Sequence, residues 1–343
     1  TEIYTLSLHD ALPIWILMAR ILSGMRPTGR MHIGHYLSVL LSYVEMQHQH
    51  ECFFLVADLH VLTTSADRTS EIKENIFQMV CDWFAAGVDP QKSAVLIQSE
   101  VPIHYNLYLV LSMLTPTGWL ERNPTVKDMI RDMNLQDSVG HGLLGYPVLQ
   151  AADILAYKAN LVPIGKDQRA HLEISREIAR RFNSMYGETF PEPQEFLRNY
   201  PLIPGMDGRK MSKSLDNAVF LSDGPQEIQQ KISQMITDPE KIRKADPGHP
   251  DICSVYDFHK ILKTPNLEDR AEGCKKGELG CVACKKELAA FMDGIIAPLR
   301  EKRAGYESNP KMVWEILNEG SRKANEFTTP IWNEVKERMG LAY

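Results

Sequence analysis

Short apolar runs alternate with longer segments whose apolar residues recur every three or four positions, which is the rhythm of strands followed by helices. Ile21 and Leu22 lead into a turn built from Gly24, Pro27 and Gly29, and a helical period opens at Ile33. Cys52 to Ala57 is continuously apolar, as a parallel strand buried on both faces must be, and it ends at Asp58-Leu59-His60. Ser70 to Ala86 reads as a helix with Ser70 as N-cap, Ile72, Ile76, Met79, Val80 and Trp83 on one stripe, and Gly87 at the end. Ala94 to Gln98 is the third strand, which completes a right-handed βαβαβ half.

Residues Pro102 to Asp137 are mostly helical and interrupt the repeat, an insertion covering about 102–140. The pattern resumes at Gly142, passes through a strand at Leu161–Ile164, and continues as a helix through Phe182. Pro191, Pro193, Pro201 and Pro204 mark a loop-rich link. From Pro225 the period is helical throughout: 225–237, 255–262, 285–303, 311–327 and 331–339. The expectation is an α/β fold, a Rossmann-like doubly wound parallel sheet over 20–216, followed by an all-α domain over 217–343.

With 343 residues, 44% apolar and 24% charged, the chain has the composition of a globular enzyme. A net charge of -6 argues against a surface that coats nucleic acid. Between Met206 and Arg303, however, 17 basic residues nearly balance 16 acidic ones, so an RNA partner is expected to touch local patches there. Ala11 to Ala19 is too short to span a bilayer and lacks a basic leader, which predicts no membrane association and a cytoplasmic protein. Thr1 to Ile14 resemble translated adapter sequence, Met18 reads as the initiator, and residues 1–19 are set aside as a non-native or disordered extension.

The strand–turn–helix junction around His32-Ile33-Gly34-His35 suits phosphates, because a helix's first turn presents unpaired N–H groups and a positive dipole end. Gly34 would leave room for a flat base. Two core histidines would look the same in sequence. Far downstream, Lys210-Met211-Ser212-Lys213-Ser214 follows the flexible frame Gly205 to Arg209, and alone it reads as a solvated turn. Tyr146, Gln150 and Asp153 share a helical face beside the small pair Ala151-Ala152. A carboxylate within that apolar run is costly unless a donor meets it, and a neighbouring backbone amide is the plain alternative to a ligand. His60 could be a core histidine, Lys127 a solvated lysine, and Asp167 a helix cap.

Together and in this order, the two motifs resemble the HIGH and KMSKS elements of class I aminoacyl-tRNA synthetases. The string from Gly145 to Leu155, followed by Val162 to Gln168, is similar to the bacterial tryptophanyl-tRNA synthetase family, and the resemblance runs from Arg20 to Met339. It implies ATP-dependent activation of L-tryptophan to tryptophanyl-adenylate, release of pyrophosphate and transfer to tRNA(Trp). By the same resemblance Asp153 accepts the indole N–H, with His60, Tyr146, Gln150 and Gln168 lining the pocket and the backbone at Ser23 and Gly24 closing over it. Gly34, Gly165, Lys166 and Asp167 would hold the nucleoside. Arg26, Pro27, Thr28, His32, His35, Lys210, Met211, Ser212, Lys213 and Ser214 would surround the triphosphate with its Mg²⁺, and Lys127 would give a further phosphate contact. Position 26 is Gln in many of these enzymes. The insertion would supply a homodimer surface; its apolar positions could instead pack internally.

Cys52 and Cys81 sit in apolar surroundings as core residues. Cys253, Cys274, Cys281 and Cys284 form a C-x20-C-x6-C-x2-C array, whose spacing alone admits Zn²⁺ or an iron–sulfur cluster. A subset of the resembled family carries a C-x22-C-x6-C-x2-C site for a [4Fe–4S] cluster in its anticodon-binding domain, which favours iron here with zinc as the alternative. Lys275, Lys276, Lys285 and Lys286 flank the array and would form a basic surface against the anticodon, or would be solvated lysines. Tyrosyl-tRNA synthetase, a non-catalytic tRNA-binding paralogue and another HxGH nucleotidyltransferase are the competing readings.

Overall fold

The apolar runs become five parallel strands, β1 (Arg20–Met25), β2 (Glu51–Val56), β3 (Ala94–Ile97), β4 (Leu161–Ile164) and β5 (Gln194–Leu197), in the order β3-β2-β1-β4-β5. The computed structural model describes residues 19–135, 138–165, 168–197 and 203–343. β1 pairs with β2 along its whole length, from Arg20 opposite Glu51 to Met25 opposite Val56. Its other neighbour, β4, comes from the second half of the fold, so the strand order reverses beside β1. Ligands of such sheets bind outside the carboxyl ends of the strands at that reversal.

Helices cover both faces, which is why Cys52 to Val56 are buried without alternation. Phe54 and Val56 pack with Met79, Val80 and Trp83 of α4 on one face; Phe53 and Leu55 pack with the helices of the other. In chain order the helices are α1 (Ile33–His35), α2 (Leu41–Met46), α3 (Asp58–Ser65), α4 (Ile72–Ala86), α5 (Ile103–Leu114), α6 (Thr117–Arg122), α7 (Pro124–Asp132), α8 (His141–Ala156) and α9 (Arg169–Tyr186). The C-terminal set is α10 (Pro225–Ser233), α11 (Ser254–Ile261), α12 (Leu267–Lys275), α13 (Cys281–Glu307) and α14 (Pro310–Arg338). A π-helical turn, Tyr36–Leu40, joins α1 to α2.

Several elements depart from the sequence expectation. Ser70 does not cap α4: Thr69–Glu71 forms a 3₁₀ turn, and the helix begins at Ile72. Asp58 to His60 open a helix that the run of Thr and Ser at its end concealed. β5 was expected as loop, because a four-residue edge strand beginning Gln-Glu carries no apolar period. α12, rich in Glu, Asp and Lys, has no buried residue and so no stripe to read. The expected break between 327 and 331 is absent, and α14 passes through Pro330. Thr328 and Thr329 donate their hydroxyls to the carbonyls of Ala324 and Asn325, occupying backbone acceptors in the turn before the proline.

The elements from Pro225 onward are helices as expected, joined by loops, and α13 and α14 complete the cores of the sheet. Leu288, Met292 and Ile296 join the α4 side, while Ala324, Ile331 and Val335 join the other. α14 also seals the edge of β3. The Ile97 N–H donates to Ser321 Oγ at 3.1 Å, and a Cβ on Gly320 would lie 1.9 Å from the Val95 carbonyl oxygen. The helix backbone thus lies directly against the strand, at a spacing that only glycine permits.

Candidate active site

The end of β1 and the turn after it set the phosphate-facing side. Gly29 adopts φ +86°, and an added Cβ would sit 2.8 Å from Asn75 Oδ1, so the turn needs glycine for conformation and for space. The Met31 N–H donates to Asp82 Oδ2 at 2.7 Å, which fixes the chain just before α1. His32 is then the N-cap: its Nδ1 accepts from the His35 N–H at 3.3 Å, while His35 Nδ1 accepts from the His32 N–H at 3.4 Å. The rings stack with centroids 3.7 Å apart. Burial, reinforced by the nearby Lys213 charge, lowers His32 to about 4, and burial, His32 and the two lysines lower His35 to about 3. Both rings are therefore neutral at pH 7. With Nδ1 accepting, each proton resides on Nε2, which is left as a donor.

A Cβ at Gly34 would lie 3.0 Å from His32 Nδ1. Glycine at this position keeps the backbone clear of the His32 ring.

The second motif meets the first. Lys213 Nζ donates to the Thr28 carbonyl oxygen at 2.7 Å and approaches Thr28 Oγ1 at 3.2 Å. Burial lowers this lysine to about 8, with Asp82 opposing and Arg30 reinforcing the shift. Asn217 holds the loop that carries it: its Oδ1 accepts from the Ser212 N–H at 2.8 Å, and its Nδ2 donates to Asp207 and to the Lys210 carbonyl oxygen. Lys210 is exposed and Met211 buried. Thr28, Gly29, Arg30, Asn75, Gln78 and Lys213 line an open cleft here.

Across β1, Asp153 of α8 is only 3% exposed and sits within a cage of side-chain donors. Gln98 Nε2 reaches Oδ1 and Oδ2 at 2.7 and 2.9 Å, His104 Nδ1 reaches Oδ1 at 2.6 Å, and His60 Nε2 reaches Oδ2 at 3.0 Å. His104 Nε2 is in turn 3.0 Å from the Tyr157 hydroxyl. Burial pushes the Asp153 carboxyl up, but His104 and His60 outweigh it and bring it down to about 2. The acid is ionised at neutral pH. The backbone-amide alternative is not what satisfies it. Gln98 and His104, both fully buried, escaped the sequence reading; a polar residue ending one apolar strand and opening the next helix was the available signal.

Tyr146 hydrogen-bonds His171, whose Nδ1 is 3.2 Å from Asn123 Nδ2. Gln150 is half-buried on the same helix, as is Gln168 at the start of α9. Arg26 is bonded to Thr64 Oγ1, and its buried Nε has no partner. Pro27 is buried. Ser23 Oγ is 2.9 Å from the Tyr43 hydroxyl, while Gly24 and Gly165 are exposed at strand ends. Lys127 is exposed on α7, as a solvated lysine would be. Lys166 and Asp167, and the side chain of Ser214, lie outside the described residues.

The four cysteines gather at helix ends: Cys253 before α11, Cys274 near the end of α12, Cys281 and Cys284 in the first turn of α13. Cys274 lies within electrostatic reach of Cys253 and Cys281, and Cys284 of Cys253 and Cys274. Burial raises the Cys284 thiol to about 11 against the pull of Arg270. Among the described residues no three His, Cys, Asp or Glu side chains stand close enough together to hold a metal ion. No helix among them is long and apolar enough to cross a membrane.

Residues 18–296 match the family described as tRNA synthetases class I (W and Y). The chain is 44% identical to the tryptophan--tRNA ligase of Thermotoga maritima and 41% identical to that of Aquifex aeolicus, in each case over 94% of this chain and all of the relative. Its structure resembles that of Campylobacter jejuni tryptophanyl-tRNA synthetase, solved in complex with ADP and tryptophan, with a TM-score of 0.85 at 32% identity, covering 94% of this chain and all of that one. Sheet order, helix-capping histidine pair and sequence similarity agree: the chain belongs to the tryptophan--tRNA ligase family of class I tRNA synthetases.

Proposed function

We propose that this chain activates L-tryptophan with ATP, releases pyrophosphate and transfers the tryptophanyl group to tRNA(Trp). The observation that carries the reading is the ionised, buried Asp153 across β1 from a neutral histidine pair and a loop lysine held beside it. An indole N–H is a donor of the kind that such an acid accepts. Of the three side chains bonded to Asp153, Gln98 and His104 are fully buried and His60 is 11% accessible, so the substrate's N–H would share or take over Oδ2 there. Tyr146, Gln150 and Gln168 would line the same pocket, with Ser23 and Gly24 above it.

The tryptophan carboxylate would attack the α-phosphorus of ATP, breaking its bond to the bridging oxygen so that pyrophosphate leaves; a Mg²⁺ bound with the nucleotide would screen the phosphate charge. No protein nucleophile is needed. His32 and His35 donate from Nε2 as neutral groups, and Lys213 and Lys210 supply positive charge that moves with the loop. Donors aimed at developing charge are each worth about 2.7–4 kcal/mol. Arg26, Pro27, Thr28, Gly34, Gly165, Lys166, Asp167, Met211, Ser212 and Ser214 would complete the nucleotide's surroundings, with Lys127 reaching the phosphates after movement of α7.

Residues 20–216 would form the catalytic part and 217–343 the anticodon-binding part, in a cytoplasmic enzyme. A homodimer is supported by Tyr105, Leu109 and Met113, which expose 44%, 58% and 72% of their surface along one face of α5 in the insertion. Cys253, Cys274, Cys281 and Cys284 would hold a [4Fe–4S] cluster, or Zn²⁺. The placing of Cys274 within reach of Cys253 and Cys281, and of Cys284 within reach of Cys253 and Cys274, supports this, and binding would draw the thiols closer together. The metal's contribution would be to order the Lys275, Lys276, Lys285 and Lys286 surface.

ATP–pyrophosphate exchange with tryptophan, tyrosine and phenylalanine in turn tests the reading. Exchange with tryptophan alone is the expected result. Exchange with tyrosine instead, or with none of the three, would overturn it.

A further inference from the structure

Asp82 of α4 is fully buried and joins two parts of the chain that are far apart in sequence. One carboxylate oxygen accepts from the Met31 N–H at 2.7 Å, directly before the histidine turn. The other accepts from Arg303 Nε at 2.7 Å, near the end of α13. Arg303, itself 2% exposed, also donates to Gln78 of the cleft and to Glu307 one turn onward. Burial pushes the Asp82 carboxyl up, and the guanidinium opposes it. The same carboxylate acts on Lys213.

We propose that Arg303 is a positioning residue for the nucleotide phosphates: through Asp82 it holds the Met31 amide, and with it the His32–His35 turn, in register with Lys213. A buried aspartate with one amide to bind could rotate; a guanidinium clamped by Asp82, Gln78 and Glu307 removes that freedom. The contact also gives the C-terminal helices a hold on the phosphate side. Cys281 and Arg303 lie on one helix, 22 residues and about 33 Å apart at 1.5 Å per residue. The first turn of α13 is therefore joined to the residue that holds Asp82 through a single helix, with Pro298 between them.

This inference rests on the tryptophan-activating reading, so the wild-type protein is assayed first. Absence of tryptophan-dependent exchange would end that reading independently of Arg303. Given activity, Arg303→Gln is expected to raise KM for ATP at least tenfold and leave KM for tryptophan within twofold, while Arg303→Lys, which keeps the charge but not the three-way guanidinium clamp, recovers only part of the loss. Because Arg303→Gln leaves Asp82 without its counter-charge, the pair Asp82→Asn with Arg303→Met serves as a second variant in which no buried charge is unpaired. It should fold and show the same selective rise. A folded variant of either kind with KM for ATP unchanged, or with both KM values rising together, would overturn the proposal.

Discussion

His104 Nδ1 lies 2.6 Å from Asp153 Oδ1, and neither side chain is accessible to water beyond a few per cent. An ionised acid in that position has lost its hydration, and the donors around it replace what water supplied. Removing His104 takes one of several donors from a buried charge that keeps Gln98 and His60, and a hydrogen bond to a charged group is worth about 1.5–3 kcal/mol. His104→Ala is therefore expected to lower unfolding free energy by that order in urea titrations at pH 7. The effect should shrink in acid. The Asp153 pKa is depressed, so its contribution is present above the ordinary carboxylate range and is lost as pH falls towards about 2.

Lys213 presents the opposite case. Its pKa is lowered from 10.5 to about 8, mainly by burial, so at pH 7 the side chain is charged at a cost to the folded state that is fully present below about pH 8 and fades as pH rises towards 10.5. Lys213→Met should leave the melting temperature at pH 7 unchanged or higher, while adenylate formation falls by two orders of magnitude or more. Tryptophan binding, measured by fluorescence titration, should change little. Equal losses in binding and in rate would contradict a role confined to the transition state.

The histidine pair makes a pH prediction. With His32 at about 4 and His35 at about 3, neither ring titrates between pH 6 and 8, and the exchange rate should show no histidine limb in that range. Stability should respond differently. An unfolded histidine gains its proton near 6.5 and the folded ones do not, so folding free energy is expected to decline as pH falls from about 6.5 towards 4. A bell-shaped profile with an acidic limb near 6.5 that disappears in His35→Asn would show a protonated histidine at work.

Iron, acid-labile sulfide and zinc measured on anaerobically purified protein address the cysteines. Four iron and four sulfide per chain, with brown absorbance lost in Cys284→Ser, is the expected outcome. One zinc per chain and no colour would leave the metal site and remove the iron.

Much of this architecture could be read from residues alone, because the first half of the fold obeys simple rules. The buried run Cys52 to Val56, the α4 stripe and Gly87 at φ +108° all lie where apolar period and chain conformation put them. The same signals fail where packing comes from elsewhere. β5 owes its existence to pairing with β4, and α14 continues through Pro330 because the sheet holds it on both sides of the proline. The site shows the same division. Asp153 was legible as an acid in an apolar run, whereas Gln98 and His104 become its partners only once α5 and β3 fold against α8. The link from Arg303 to Asp82 spans 221 residues and leaves no trace in any local pattern.

The central claim is that Asp153 identifies the indole nitrogen. It is tested most directly by the ratio of kcat/KM for tryptophan to that for phenylalanine in pyrophosphate exchange, measured for wild type and for Asp153→Asn. A hydrogen bond to a charged group is worth about 1.5–3 kcal/mol, so the ratio should fall by roughly 10- to 150-fold in the variant, mostly through loss of tryptophan activity. An unchanged ratio in a folded Asp153→Asn protein would contradict the claim and leave Asp153 as a buried anchor for Gln98 and His104.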